Sequence, residues 1–366
     1  MTNPSIIIFT VTTDLSYDQR MQRICYSLAS NGFTVLLIGR AKSSSIPLES
    51  TIYQQKRINC WFEKGKLFYL EYNLRLFFLL ITLPVDIISS VDLDTILPVV
   101  LASKIRSKIC VFDAHEYFTE VPEVVNRPFT KRIWSHIANR LIPRVDLAYT
   151  VSQSLQSLFS QLYNRPFHLI RNISVSIPAK VPSIPIQPIL LYQGALNAGR
   201  GIEELLIAIK DIADIQLWIA GEGDLSDQLR QVCKKLAITE KVHFWGYLQP
   251  KELRALTAKA TIGINILENK GLSYYYSLAN KTFDYIHAGI PAIHSNFPEY
   301  QLLNAQYEIG VLVEDLSPAT LKKAILQLIN DKEYYSKLQR NCAVAAQSLN
   351  WEKEEERLIE LYRNLI

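Results

Sequence analysis

The sequence predicts an α/β protein built from two doubly wound, parallel-sheet domains in series. Two observations carry this. Short β-branched runs alternate with amphipathic stretches along 366 residues, a pattern that favours parallel strands joined by helical crossovers. The alternation is interrupted once, where Pro178, Pro182, Pro185 and Pro188 can neither sustain a helix nor sit in a central strand. At roughly 100 to 200 residues per domain the length also asks for two.

In the first half, residues 5–11, 33–38, 86–91, 109–112 and 146–150 read as strands. Between the first two, Met21, Ile24, Cys25 and Leu28 recur at helical spacing, and Asn31-Gly32 supplies the left-handed stop. Beyond the proline-rich linker the alternation resumes, with strands at 189–193, 215–220, 242–245, 261–266 and 291–294. Helices are expected near 201–212, 224–236, 278–288 and 318–330. The last segment places Trp351, Leu358, Leu361, Tyr362 and Leu365 on one stripe opposite Glu352 and Glu354 to Glu356, an amphipathic helix that needs a surface to bury against. The expected division is a first domain over 1–177, a linker over 178–188, a second domain over 189–349 and a crossover helix over 350–366. Two such domains would face each other across a cleft, with the last helix packed back on the first.

Hydrophobic residues at 49% and charged residues at 20% exclude disorder and small disulfide scaffolds. Five scattered cysteines (Cys25, Cys60, Cys110, Cys233, Cys342) with no Cys-x-x-Cys pair argue against a disulfide framework and a zinc site. The apolar run 76–85 is too short to span a bilayer, and residues 1–4 carry no basic residue before an apolar stretch, so a cytoplasmic location is expected. Residues 1–180 hold 20 Lys or Arg against 13 Asp or Glu, net +7, whereas 181–366 hold 19 against 22, net −3. The basic half could meet an anionic lipid or a phosphorylated substrate, or the surplus could simply keep a surface solvated.

Neither Gly-x-Gly-x-x-Gly after the first strand nor a Walker loop is present, which weakens dehydrogenase and nucleoside-triphosphatase readings. In their place stands the turn Gln193-Gly194-Ala195-Leu196-Asn197-Ala198-Gly199-Arg200-Gly201, whose backbone N–H groups, with Arg200, could receive a diphosphate. In Asn280-Lys281-Thr282-Phe283-Asp284-Tyr285-Ile286-His287-Ala288-Gly289-Ile290-Pro291, Lys281 and Asp284 share one helix face. A lysine can neutralise phosphate while a carboxylate accepts from two ribose hydroxyls; an exposed helix ion pair would explain the same spacing. Asp92-Leu93-Asp94 has a metal-binding form, but in a strand its two carboxylates share a face at a sheet edge and need no metal.

These segments, with Ala220-Gly221-Glu222-Gly223, Asp18-Gln19-Arg20, Asp92-Leu93-Asp94-Thr95, Asp113-Ala114-His115-Glu116, Thr150-Val151-Ser152 and the closing helix, resemble the family 4 glycosyltransferases of the GT-B fold over nearly the whole chain. The resemblance implies sugar transfer from a nucleotide diphosphate donor with retention, no cofactor and no metal. It implies a donor site of Gly194, Gly201, Gly221, Tyr247, Asn280 and Asp284, with the base near 245–248. His115 would contact the transferring sugar, and Arg200 and Lys281 would neutralise the leaving diphosphate. Acceptor candidates are Asp18, Arg20, Glu116 and Glu120, for a glycan or lipid-linked acceptor and not a nucleic acid. The sequence departs from the family at two places. Tyr276 stands where the first acid of Glu-x7-Glu belongs, and Gly194-Ala195 and Arg200-Gly201 replace the usual Gly-Arg and Lys-Gly. Two segments, 61–80 and 129–142, would suit peripheral attachment to an anionic membrane, or a core helix and a solvated one. A nucleotide-sugar epimerase of the same fold and a non-catalytic glycan-assembly subunit are the rival readings.

Overall fold

A computed structural model describes residues 4–175 and 187–366. The linker expected at 178–188 therefore lies, apart from Gln187 and Pro188, outside the described residues. The chain divides into two compact units, Met1–Asn172 with Glu354–Ile366, and Ile173–Lys353.

The first unit runs β1 (Ile6–Thr10), α1 (Gln19–Ser30), β2 (Thr34–Arg40), β3 (Gln54–Ile58), α2 (Gly65–Thr82), β4 (Ile87–Val91), α3 (Ile96–Arg106), β5 (Ile109–Ala114), α4 (Pro122–Val125), α5 (Pro128–Leu141), β6 (Leu147–Thr150), α6 (Gln153–Leu162) and β7 (His168–Leu169). Its seven parallel strands lie in the order β3-β2-β1-β4-β5-β6-β7. β1 is a near-continuous apolar run and β4, Ile-Ile-Ser-Ser-Val, is buried throughout, as in a parallel sheet covered on both faces. At the edge, β3 reads Gln-Gln-Lys-Arg-Ile and is half exposed, the polar signature that keeps an edge strand from pairing further. Asp18 caps α1 by accepting from the Met21 amide, and Gly32 follows the helix at φ 92°.

The second unit runs β8 (Ile189–Gln193), α7 (Ile202–Ile209), β9 (Gln216–Ala220), α8 (Ser226–Lys235), β10 (Val242–Gly246), α9 (Pro250–Thr257), β11 (Ile262–Asn265), α10 (Leu272–Tyr275), α11 (Asn280–Ala288), β12 (Ala292–Ser295), α12 (Pro298–Tyr307), β13 (Gly310–Val313), α13 (Pro318–Asn330) and α14 (Lys332–Ser348). The closing helix α15 (Trp351–Arg363) belongs from Glu354 onward to the first unit. The sheet order of the second unit is β10-β9-β8-β11-β12-β13. In each unit the order therefore reverses beside the first strand, between β1 and β4 and between β8 and β11, and ligands of open α/β sheets bind at the carboxyl side of such a switch point. Leu190, Tyr192, Leu205, Ile219, Ile262 and Ile293 form the centre of the second core.

The closing helix returns to the first unit. Tyr362 is buried with its hydroxyl 3.3 Å from that of Tyr149 and its ring 5.9 Å from Phe9, and Glu354 accepts from the Arg171 guanidinium at 3.2 Å. One expectation is corrected: Asp92 and Asp94 are not in a strand. β4 ends at Val91, Asp92 takes φ 56°, and Leu93–Thr95 forms a 3-10 turn. Asp tolerates this left-handed excursion because its short side chain can hydrogen-bond locally. The two carboxylates thus leave the alternation that would have put them on one face.

Candidate active site

At the first switch point the carboxyl ends of β4 and β5 carry charges that satisfy one another. Arg20, on the first turn of α1, is 3% exposed and pairs with Asp113 at 3.0 Å. It also donates to the Ile170 carbonyl at 3.1 Å. Asp113 is held below the usual carboxylate range, because Arg20 and His115 outweigh the burial that would raise it. His115 follows β5 directly. Its backbone amide donates to Asp92 at 2.7 Å, and its ring Nδ1 stands 3.6 Å from that carboxylate. Ring Nε2 lies 3.0 Å from Asp113 and 2.9 Å from Arg20 Nε. A protonated imidazole donates from Nε2 to Asp113, whereas a neutral ring with its proton on Nδ1 accepts from Arg20. Burial opposes the protonated form, but Asp113 and Asp92 overcome it and raise His115 to about 9.

Burial pushes Asp92 up to about 8, with Glu116 and Asp94 adding to the rise, and Asp94 up to about 6. Thr12 donates to Asp94. Beside them a small aromatic pocket is lined by Asp92, Phe112, Glu116, Tyr117, Phe159 and Tyr163.

At the second switch point the balance is reversed. Lys281, the second residue of α11, is 8% exposed, and its Nζ has no hydrogen-bond partner among the described residues. The ammonium sits 4.0 Å from the centre of the Tyr192 ring. It faces Gly194, where an added Cβ would lie 3.6 Å from Nζ. Burial pulls its pKa well below the ordinary lysine value, and Arg200 adds to this. The polar layer nearby is neutral: Asn265 donates to Thr282 at 2.9 Å and lies 3.3 Å from His294 Nδ1. Burial, then Lys281, drives His294 down to about 3. Arg200 lays its guanidinium 4.9 Å from the Tyr274 ring centre, with Nε unpartnered. Two cations thus converge on the 194–201 turn.

The turn itself departs from the expectation that its amides receive the diphosphate. Two are already spent, Gly194 on the Ala220 carbonyl at 2.9 Å and Leu196 on that of Glu222 at 3.2 Å. Those bonds lock the turn to the 220–223 loop so closely that a Cβ on Gly221 would lie 2.0 Å from the Gly194 oxygen. Both glycines hold positive φ, 129° and 143°, so the approach requires glycine.

Asp284 does not pair with Lys281, whatever their spacing on the helix. One oxygen accepts from Ser174 at 2.8 Å and the other from the Gln193 amide at 2.7 Å. Asn280 opens α11 and is exposed. Gly201 caps α7 in the left-handed region. Tyr247, 62% exposed, follows β10 close to Gly221, whose amide donates to the Gly246 carbonyl at 2.7 Å. Tyr276 is half-buried against Tyr275.

Of the acceptor candidates, Glu116 is exposed at the aromatic pocket. Asp18 accepts from Met21 and Thr13 as a helix cap, Glu120 pairs with Lys131 at 2.6 Å, and Arg20 is buried in the His115 network. Sequence reasoning missed Tyr192, Tyr274, Gln193 and Ser174 as the partners that shape this site. Gln193 and Asn265 carried a usable signal, each a polar residue ending an apolar strand at a switch point.

Two doubly wound parallel sheets in series, each with a switch point beside its first strand, define a two-unit α/β class of protein whose ligands are expected at the carboxyl ends of the strands. The chain belongs to the glycosyltransferases: residues 176–349 match the family of glycosyl transferases group 1 and residues 19–173 match glycosyltransferase family 4. It is 24% identical over 204 residues to the uncharacterized glycosyltransferase MJ1607 of Methanocaldococcus jannaschii, covering 50% of each chain. The chain spans about half or less of the length of the curated relatives it matches. Its fold is that of sucrose-phosphate synthase from Thermosynechococcus elongatus, at TM-score 0.81 and 17% identity over 99% of both chains. It is also that of HepE of Anabaena in complex with UDP and glucose, at TM-score 0.78 and 15% identity over 98% of this chain and 100% of the other. Both sheets are those of the GT-B fold.

Proposed function

We propose that this protein transfers a sugar from a nucleoside diphosphate sugar to a glycan or lipid-linked acceptor of surface polysaccharide or glycoconjugate synthesis, with retention and without a metal. The observation that carries the reading is Lys281, a buried lysine whose Nζ has no hydrogen-bond partner among the described residues, beside Arg200 and the backbone of Gly194. A diphosphate supplies such a partner. As the sugar leaves, negative charge grows on the β-phosphate, so cations fixed in a dry site favour the transition state over the bound donor.

Asp284 takes the ribose hydroxyls, since a carboxylate can accept from two neighbouring hydroxyls. Tyr247 and Trp245 offer exposed aromatic surface to a base. That HepE is seen with UDP-glucose makes a uridine donor the first to try. His115 takes the sugar contact, its charge held by Asp113 and Asp92. No carboxylate stands out as a covalent nucleophile, so front-face displacement, with the departing phosphate taking the acceptor proton, fits the residues present. Arg200 and Lys281 supply the positive charge a metal would otherwise bring. Product assays with UDP-sugars and a glycan acceptor in chelator test the reading: transfer should persist. Activity lost in chelator and restored by manganese would remove the metal-free part, and donor turnover without any acceptor would favour an epimerase.

A further inference from the structure

Three helices of the first unit leave their outward faces apolar. α2 buries Phe68, Tyr72, Leu76 and Leu80 against the sheet, yet Leu67, Leu70, Leu74 and Phe78 on its other side are 51 to 66% exposed. A helix that is apolar on both sides needs a second apolar environment. α3, packed beside α2, repeats the arrangement, with Leu97, Leu101 and Ile105 exposed at i, i+4 and i+8. α5 packs beside α3, and its Trp134 meets Tyr69 of α2 with ring centres 6.0 Å apart. It presents Phe129 and Ile133 outward. Trp61, 85% exposed, stands before α2. With Phe62, eleven of the 23 large exposed hydrophobic side chains among the described residues belong to this one layer. Scattered exposed hydrophobics need no explanation, whereas a concentrated field of them does.

The charge on the same helices narrows the occupant. α2, α3 and α5 together carry seven basic residues and one acid, Glu71; Arg75 pairs with Glu71, Lys131 with Glu120 and Arg106 donates to the Leu80 and Leu83 carbonyls, while Lys66, Lys104, Arg132 and Arg140 have no acid partner among the described residues. Glu71 is consumed internally, accepting from the Trp61 and Phe62 amides and pairing with Arg75 at 2.8 Å. Those bonds hold the exposed Trp61 against the start of α2. No helix among the described residues is long and apolar enough to cross a membrane. We infer that the outward face of α2, α3 and α5 docks in the plane of a lipid bilayer with anionic headgroups. The leucine and phenylalanine side chains enter the acyl boundary, Trp61 sits at headgroup depth and the basic side chains meet lipid phosphate. This goes beyond sugar transfer: it fixes where the reaction takes place, and it does not depend on which donor or acceptor is used.

Co-flotation of the full chain with vesicles tests it. The protein should float with vesicles of equal parts phosphatidylglycerol and phosphatidylcholine and much less with phosphatidylcholine alone, and salt should weaken the association. Leu70→Ser with Phe78→Ser should lower partitioning at least about tenfold. Arg132→Gln with Arg140→Gln, at two exposed positions where folding is not at risk, should lower it about tenfold or more on anionic vesicles only. Leu302→Ser, an exposed leucine on α12, should change nothing. Failure to float with anionic vesicles, or flotation unaltered by either pair, would overturn the inference. So would a wild-type dimer in sedimentation that Leu70→Ser with Phe78→Ser disperses, because the face would then be covered by a second copy.

Discussion

The two switch points share a strand order and end in opposite electrostatics. In the first, Arg20 pairs with Asp113, and His115 lies against Asp113 and Asp92, before any ligand arrives. In the second, Lys281 is buried without a hydrogen-bond partner among the described residues and Arg200 repels it. On the proposed function, the first arrangement positions a group and the second receives an anion. Fold alone does not favour either sheet for a diphosphate; the balance of buried charge is the ground for proposing the second.

The largest effect that could break this contrast is on stability. Arg20→Met leaves Asp113 buried without its cation, and loss of one partner of a buried pair costs about 3 to 5 kcal/mol. Lys281→Met should do the reverse and stabilise the free protein, because it removes a buried charge that nothing compensates. The gain should depend on pH. The folded pKa of Lys281 is depressed below 10.5, so between the two values the unfolded chain binds more protons and wild-type stability rises with pH. The advantage of Lys281→Met should therefore be greatest at low pH and shrink toward the ordinary lysine pKa. Urea midpoints across pH check both variants.

Next comes donor affinity. Arg200→Ala should weaken nucleoside diphosphate binding by about one to two decades, the usual worth of a charge-assisted contact, and should depress turnover as well. Single-turnover kinetics beside calorimetry separates the two. His115→Ala should lower turnover while leaving nucleoside diphosphate affinity within about twofold.

A smaller effect sharpens the account of the first switch point. His115 is raised from 6.5 to about 9, so its charged contacts stabilise fully below 6.5 and lose that contribution as pH rises through about 9. His115→Gln should flatten the fall in stability over this window in denaturant titrations. The smallest expected change is for Asp284→Asn, about a tenfold loss of donor affinity with turnover at saturation unaltered, since ribose gains no charge in the reaction.

Much of this architecture was legible in the sequence because buried parallel strands are written as unbroken apolar runs: β8 was read at its observed bounds. β3 escaped because a polar, half-exposed edge strand carries no such run, and β7 because two residues, His168–Leu169, carry no pattern. The Asp92-Leu93-Asp94 turn was misread as strand because one positive φ, which no periodicity reveals, breaks the extended conformation. Lys281 and Asp284 showed why a site is harder to read than a fold. Their spacing marks a shared helix face, but α11 packs against β8, so Tyr192 takes the lysine while Gln193 and Ser174 take the aspartate. Such partners come from chain segments about 90 to 110 residues away and have no local signal.

The central claim, that Lys281 awaits an anion, is tested most directly by calorimetric titration of uridine diphosphate into wild type and Lys281→Met in two buffers of different ionisation enthalpy. Diphosphate restores the charged lysine, so wild type should take up a fraction of a proton on binding at pH values between the depressed pKa of free Lys281 and its higher pKa in the complex. Lys281→Met should bind at least about tenfold more weakly, take up none, and melt no earlier than wild type. Binding within twofold of wild type, or equal proton uptake in both proteins, would contradict it.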